Sequence, residues 1–137
     1  MSKNFIEFFQ LNSLACINLQ LSSPSIALPF LDRALQKAKA VEDDCAREWT
    51  SENRRSEFVC VQSKVSMVVH NLAIAQFKLG NFQAAWRLFE KVAAGGNTNY
   101  LFWYRYAVCG FNHFIQACEQ RTRRVETGLY SGKKRYR

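Results

Sequence analysis

The sequence is poor in the residues that most often interrupt regular structure, with only two prolines and six glycines among 137 residues. A β-sandwich needs a turn about every 8–12 residues, and turns depend on these residue types. We therefore expect a few long elements rather than many short strands. Because 48% of the residues are hydrophobic, the chain has enough apolar side chains to form a core. Its length predicts one domain, or a piece of one.

The usual marks of a secreted or membrane protein are also missing. The five cysteines are an odd number and contain no C-x-x-C pair, which does not fit a disulfide framework. We expect no signal peptide, because Glu7 and several Asn and Gln residues interrupt the apolar residues near the N-terminus, and no uncharged apolar run reaches the roughly 18 residues that a membrane span needs. The composition predicts a reduced, soluble protein with cysteines in its core. We expect it in the cytoplasm, with the nucleus as a second compartment.

Signatures of catalysis and of cofactor binding are equally scarce. The chain has two histidines, His70 and His113, and no Cys/His pair with the spacing of a zinc finger. Neither a G-x-G-x-x-G loop nor a Walker motif is present. A Cys–His nucleophile pair stays open, since its members need not be close in sequence. We expect no enzyme activity, no cofactor and no metal site.

Three segments place apolar residues at the i, i+3, i+4, i+7 spacing of an amphipathic helix. One covers 65–79, and a second follows Gly80. Gly80 suits the left-handed position that ends a helix, and Asn81 suits the N-cap of the next. These two segments predict a helical hairpin with Gly80 as its turn and the glycine pair at 95–96 as its end. The third segment has an apolar stripe of Trp103, Tyr106, Ala107, Gly110, Phe111 and Phe114.

The N-terminal region repeats this hairpin. Its two stripes consist of Leu11, Leu14, Ala15 and Leu19, followed by Ala27, Leu28, Leu31, Ala34 and Leu35. A break at 22–24 separates them, and we expect the second helix to begin near Ser25, with Pro29 in its first turn or so. Alignment of the two hairpins matches Ser22 with Gly80 and the pair Leu14–Ala15 with Leu72–Ala73.

The third segment aligns as well, because Tyr106–Ala107 takes the place of Leu72–Ala73. The step from Ala73 to Ala107 is 34 residues, which is the tetratricopeptide period. Small residues such as Ala73 let paired helices approach closely, while Phe82, Phe89 and Trp103 fill the space between hairpins. We predict an all-α fold of tetratricopeptide-repeat helical hairpins stacked as a short, incomplete solenoid.

The same alignment predicts how the chain is organised. Residues 1–118 form the repeats, with repeat one at 8–40, a charged insertion at 41–64, repeat two at 65–96 and a partial repeat three at 98–118. Residues 119–137 form a basic tail. Within the insertion, EDDCARE extends a helix, TSENRRSE is typical of a polar linker, and FVCV is too short to distinguish a strand from a helix start. We expect the insertion to be a partly mobile loop.

The first helix of each hairpin lines the concave groove of such an array. The candidates for partner binding on these helices are Asn12, His70, Ile74, Lys78, Tyr104, Val108 and Asn112, with Cys16 and Gln20 at equivalent positions. Asn71 and Arg105 fit two places of a carboxylate clamp, but three other places do not match. The groove instead offers apolar surface for a partner helix. The alternative is that these residues make ordinary contacts between repeats.

The basic tail carries most of the net charge of +8. From Gln116 to the end of the chain there are seven basic and two acidic residues. Contact with RNA through phosphates is one interpretation. Its candidate residues are Arg121, Arg123, Arg124, Lys133, Lys134 and Arg135. The other, favoured interpretation is a solvated, frayed end or part of a loop of the next repeat.

The body of the chain resembles one family of tetratricopeptide proteins, subunit ten of the CCR–NOT complex, which shortens the poly(A) tails of messenger RNA. The residues that carry the resemblance are NSLACINLQLSSPSIALPFLDRAL (12–35), the charged insertion after it, VVHNLAIAQFKLGNFQAAWRLFEKV, and LFWYRYAVC (101–109). The last contains a string similar to the family's Trp-x-Arg-x-Ala-x-Cys. Members of the family are much longer, and Ala15 and Ala73 replace glycine.

The resemblance implies a non-catalytic scaffold that pairs with subunit eleven and docks on the N-terminal region of the large NOT scaffold. Two other functions stay open. One is a generic tetratricopeptide adaptor unrelated to deadenylation, and the other is an RNA-binding protein that acts through its tail. We also expect the outer face of the last helix, with Trp103, Tyr106 and Phe114, to lack a partner helix and to cause association or aggregation unless another chain covers it.

Overall fold

A computed structural model describes residues 3–47, 52–95 and 99–133, and within these ranges the chain forms five α-helices and no strand. The all-α prediction is therefore confirmed. The helices are α1 (Lys3–Gln20), α2 (Pro24–Arg47), α3 (Glu52–Lys78), α4 (Phe82–Ala93) and α5 (Tyr100–Lys133). Each helix packs against the next along the chain, and α3 also contacts α1 and α5.

The core consists of two clusters that meet at α3. The first joins α1, α2 and α3, and its buried members are Phe8, Ala15, Leu19, Ala27, Leu31, Ala34, Ala38, Val68, Leu72 and Ala75. The second joins α3, α4 and α5 through Ala73, Ala85, Phe89, Val92, Phe102 and Cys109. The half-buried side chains of Ile74 and Leu88 pack against both clusters. Consequently α3 supplies buried residues to both clusters and connects the α1–α2 part of the molecule with the α4–α5 part.

The turns between paired helices have the same construction. Gly80 has φ +77°, its N–H donates to the Phe77 carbonyl (3.0 Å), and the Asn81 N–H donates to the Gln76 carbonyl (3.0 Å). This is the Schellman arrangement that closes a helix with a left-handed residue. The prediction for Gly80 is therefore confirmed. Asn81 occupies the N-cap of α4, but its amide bonds the Gln76 side chain instead of capping the helix.

Ser22 repeats this geometry at the end of α1. Its φ is +57°, its N–H donates to the Leu19 carbonyl, and the Ser23 N–H donates to the Asn18 carbonyl. The match of Ser22 with Gly80 therefore holds in the backbone as well as in the sequence. Helix α2 then begins at Pro24, and Pro29 is its sixth residue, slightly deeper than the first turn.

The expectation of a mobile loop at 41–64 is wrong for the residues that are described. Helix α2 runs through EDDCAR to Arg47, and α3 already begins at Glu52. The predicted polar linker is helical from Glu52 to Glu57, and FVCV continues the same helix. Glutamate, arginine and glutamine are good helix formers, so a charged sequence without glycine or proline extends both helices.

Two predicted apolar positions, one on α1 and one on α5, face outward. Leu14, aligned with the buried Leu72, is exposed, because none of the described helices packs on that side of α1. Trp103, expected between hairpins, is 46% exposed, and Phe102 is buried in that place instead. As predicted, Trp103 and Phe114 expose the outer face of α5. Tyr106 does not share it, because its ring stacks on Trp86 at 4.3 Å.

Helix α5 crosses the expected boundary between residues 118 and 119 without interruption and extends to Lys133. The described part of the tail is therefore neither frayed nor a loop. Its side chains from Phe114 to Gly128 are all exposed. Lys134 and Arg135 lie outside the described residues.

Candidate interaction surfaces

Asn12, a predicted groove residue, is buried where α1 meets α3. The Asn71 amide donates to Asn12 Oδ1 (3.1 Å) and to Cys16 Sγ (3.3 Å). Burial raises the pKa of the Cys16 thiol, which therefore stays protonated. Asn71, one of the two residues that fit a carboxylate clamp, thus uses its amide in contacts within the chain. The side chains of Asn12, Cys16 and Asn71 hold α1 against α3 and present few free polar atoms to a ligand.

His70 lies in an aromatic cluster at the contact of α3 with α4 and α5. Its ring meets Phe89 and Phe102 edge to face, with centroids 6.0 and 5.5 Å apart. Its Nε2 is buried without a hydrogen-bond partner among the described residues. Desolvation and then the nearby Arg105 guanidinium lower the pKa of this imidazole below its ordinary 6.5. His70 is therefore neutral at pH 7 and contributes mainly packing.

Ile74 and Lys78 also make contacts within the chain. Ile74 packs between the two core clusters. The Lys78 ammonium donates to the Leu19 carbonyl at 2.7 Å, in the last turn of α1. A cation is favourable there because the carbonyl end of a helix carries partial negative charge. The sequence indicated that Lys78 lies near the end of α1, because Lys78 aligns with Gln20, the last residue of that helix.

The remaining groove candidates lie on α5. Tyr104 is exposed, whereas Val108 and Asn112 are half-buried. The Asn112 amide donates to the Val108 carbonyl one turn earlier (2.8 Å). Of the seven candidates, Tyr104 thus presents the most accessible apolar surface for a partner. Val108 and Asn112 follow it at intervals of four residues on α5, whereas the four candidates on α1 and α3 contact other residues of the chain.

An apolar face on α1 was not predicted. The exposed side chains Ile6, Leu14 and Ile17 of α1, and Leu21 directly after it, lie on the side opposite the buried residues Phe8, Ala15 and Leu19. We call these four residues the α1 outer face. The signal was present in the sequence, because their spacing of 8, 3 and 4 residues keeps them on one side of a helix. The expected stripe included Leu14 alone of these four.

The basic residues of the segment predicted to be a tail lie on the last part of α5. Arg121, Arg123 and Arg124 are exposed, and Lys133 is the last residue of the helix. Arg121 and Arg124, which are three residues apart, lie on the same side of the helix, whereas Arg123 lies elsewhere around it. These cations are therefore spread around the helix, and only part of the set is able to face one strand of nucleic acid.

Among the described residues, no group of three or more His, Cys, Asp or Glu side chains is placed to hold a metal ion. None of the described helices combines the length and the apolar character required to cross a bilayer. Comparison with protein-family models, curated proteins and solved structures finds no match for this chain. The surfaces above therefore have to be interpreted from their own chemistry.

Proposed function

We propose that this chain is a non-catalytic scaffold subunit of the CCR–NOT complex that acts in messenger RNA deadenylation and turnover, in the cytoplasm and in the nucleus. Its helical-repeat surfaces bind partner subunits, with subunit eleven and the N-terminal region of the large NOT scaffold as the expected partners. The 34-residue step and the Trp103-x-Arg105-x-Ala107-x-Cys109 string support this assignment. The sequential packing of helices is compatible with it.

The observation that carries the adaptor function is the α1 outer face. Ile17 on α1 is 52% exposed and Leu21, directly after α1, is 70% exposed, and none of the described helices covers that side. Terminal repeats that stay uncovered normally have a polar outer surface. A contiguous aliphatic face at the end of an array is therefore typical of a surface that a partner helix covers.

The test is co-purification with the two expected subunits. Ile17→Asp places a charge in the centre of the α1 outer face without touching the buried side of the helix. We expect it to abolish or strongly weaken capture of the partner. Gln36→Asp, on an exposed position of α2, is the matched control and should bind normally. If the wild-type chain captures neither subunit, the CCR–NOT assignment is wrong. If Ile17→Asp binds as well as wild type, the α1 outer face is not the docking surface.

A second candidate is RNA binding by α5, favoured by Arg121 and Arg124, which are exposed and lie on one side of the helix. Replacing both with glutamine would remove two phosphate contacts and reduce the salt dependence of binding by about two in log–log slope. Fluorescence anisotropy with labelled single-stranded RNA measures this slope. Unchanged affinity in the double variant excludes these two arginines as the RNA contact.

A further inference from the structure

Helix α5 carries a second apolar stripe, whose members recur at alternating intervals of three and four residues. They are Leu101, Tyr104, Val108, Phe111, Ile115, Cys118, Thr122, Val125 and Leu129. This is the spacing of the a and d positions of a coiled coil. We call these nine residues the α5 seam. Phe102 and Cys109, which are buried against the rest of the molecule, lie on the opposite side of the helix.

Apart from the half-buried Val108, the described members of the seam are exposed, and the seam continues beyond the body of the protein. Phe111 is 66% exposed and Val125 is 58% exposed. From Phe114 to Lys133 the helix extends about 30 Å, at roughly 1.5 Å per residue, and its described side chains there are exposed. A single helix of this kind is only marginally stable in water. Burial of the seam against another helix would supply the missing packing.

The two least apolar members of the seam, Cys118 and Thr122, suit a buried position. Cys118 is a free cysteine, and a thiol behaves as a small apolar group when it is buried. The Thr122 hydroxyl already donates to the Cys118 carbonyl at 3.1 Å. Its polar atom therefore keeps a partner when the methyl group enters an interface. Neither residue leaves an unsatisfied donor in the seam.

Charges beside the seam indicate what covers it. Arg121 lies at a g position, and Glu126 lies at the e position of the next heptad. In a parallel, in-register pair of helices these two positions face each other across the seam, so two copies form the Arg121–Glu126 pair twice. In an antiparallel pair, e positions face e positions. Both e residues between Phe114 and Gly128 are glutamates, Glu119 and Glu126, so an antiparallel pair would place like charges opposite each other. The parallel arrangement of two identical helices is therefore the complementary one.

We propose that the α5 seam forms a parallel, in-register coiled coil with α5 of a second copy of this chain. The bodies then lie on the outer sides of the paired helices, because each packs against the face opposite the seam. Arg123 and Arg124 occupy positions that point away from the partner helix, so salt screens their mutual repulsion. This homodimer does not depend on the proposed function, since it uses a different helix from the α1 outer face.

Sedimentation equilibrium across a dilution series tests the proposal on the full chain. We expect a reversible equilibrium between the 15.9 kDa chain and a species of twice that mass. Val125→Glu buries a charge in each helix of the pair and should raise the dissociation constant about tenfold to a hundredfold. Gln120→Glu adds the same charge on the opposite side of the helix and should leave the dimer intact. A monomer throughout the series, or equal effects of both variants, overturns the proposal.

Two further measurements test orientation and register. Arg121→Glu should raise the dissociation constant about fivefold to tenfold, and adding Glu126→Arg should restore the affinity, because the exchanged charges pair again. Diamide, an oxidant of thiols, should link Cys118 to the Cys118 of a second copy in a parallel pair. Cys118→Ser should abolish this band, and Gln120→Cys in that variant should not restore it. Failure of the double charge exchange together with no Cys118 link contradicts a parallel pair.

Discussion

At the residue scale, Ser22 and Gly80 occupy equivalent places in two equivalent turns, with φ +57° and +77°. Only glycine adopts this left-handed conformation without steric cost, and other residues lose about 1 kcal/mol there. Ser22 therefore carries strain that Gly80 avoids. The two hydrogen bonds of the turn and the packing of α1 on α2 offset this strain and hold the backbone in place.

We predict opposite effects from exchanging these residues. Ser22→Gly should raise the free energy of unfolding by about 0.5 kcal/mol, since the relief of strain exceeds the greater freedom of glycine in the unfolded chain. Gly80→Ser should lower it by about 1 kcal/mol, although a Cβ at Gly80 would meet no described atom within 4 Å. Urea denaturation followed by circular dichroism measures both. Changes of the same sign would show that backbone conformation is not the cause.

His70 gives the molecule a pH dependence near neutrality. Its folded-state pKa is lowered by burial and by Arg105, so the unfolded chain binds a proton more readily than the folded one. The stabilisation is complete above the unfolded value of about 6.5 and is lost as the pH falls through the lower folded-state pKa. We expect Tm to fall between about pH 7 and pH 5 by more in the wild type than in His70→Phe. Differential scanning calorimetry at several pH values measures the difference. Parallel Tm profiles would exclude His70 as the origin.

At the element scale, the contact of α4 with α5 depends on a glycine. Trp86 packs on Gly110, and a Cβ at Gly110 would lie 2.9 Å from Trp86 Cε3 and would overlap Cζ3. No alanine fits there without moving the indole, which is itself held by Tyr106. The sequence placed Gly110 in an apolar stripe but gave no reason for a glycine, because the reason is a side chain from another helix.

Two glycines of α5 form a matched pair of variants. Gly128→Ala should stabilise the helix by up to about 1 kcal/mol, because alanine is the better helix former and its Cβ would meet no described atom within 4 Å. Gly110→Ala should instead destabilise the protein by about 1–3 kcal/mol, because displacement of Trp86 outweighs the same helical preference. Indole fluorescence should also change in Gly110→Ala. A stabilising effect at both positions would contradict the close contact with Trp86.

The elements also show how far the sequence allowed prediction. The hairpins were predictable because their stripes, the Gly80 turn and the Ser22 break are local signals. The helical insertion was not, since charged residues without periodicity are equally typical of a linker and of a solvated helix. The continuation of α5 to Lys133 was missed for the same reason. The α1 outer face was missed because Ile6, Ile17 and Leu21 were not part of the expected stripe.

At the scale of the whole molecule, α3 supplies buried residues to both core clusters, and Leu88 of α4 packs against both. Folds in which each helix packs mainly against its neighbours along the chain open at their ends more readily than a single compact core. The candidate groove was the part least accessible to prediction. Equivalent positions share a helix face, but whether Asn12, His70 or Lys78 faces a ligand or a neighbouring helix depends on side chains that are distant in sequence.

We predict that damage to the second cluster leaves the first one folded. Phe89→Ala should cost about 3–5 kcal/mol and expose the amides of α4 and α5 to solvent. Hydrogen exchange followed by mass spectrometry should then show loss of protection in 82–113, with α1 and α2 still protected. Leu31→Ala is the matched variant in the first cluster and should have the reverse pattern. Uniform loss of protection in both variants would mean that the five helices unfold as one unit.

The hydrogen bond between Asn12 and Asn71 has a consequence for the order in which the helices stack. Sliding α3 along α1 by one turn would bring Asn71 opposite Phe8, or opposite the turn beyond Cys16, and would separate the two amides. Each buried amide left unpaired costs about 1–3 kcal/mol, while the aliphatic contacts around it would lose little. The Asn12–Asn71 pair therefore specifies the register of α1 against α3. Alanine and leucine contacts alone would allow several registers.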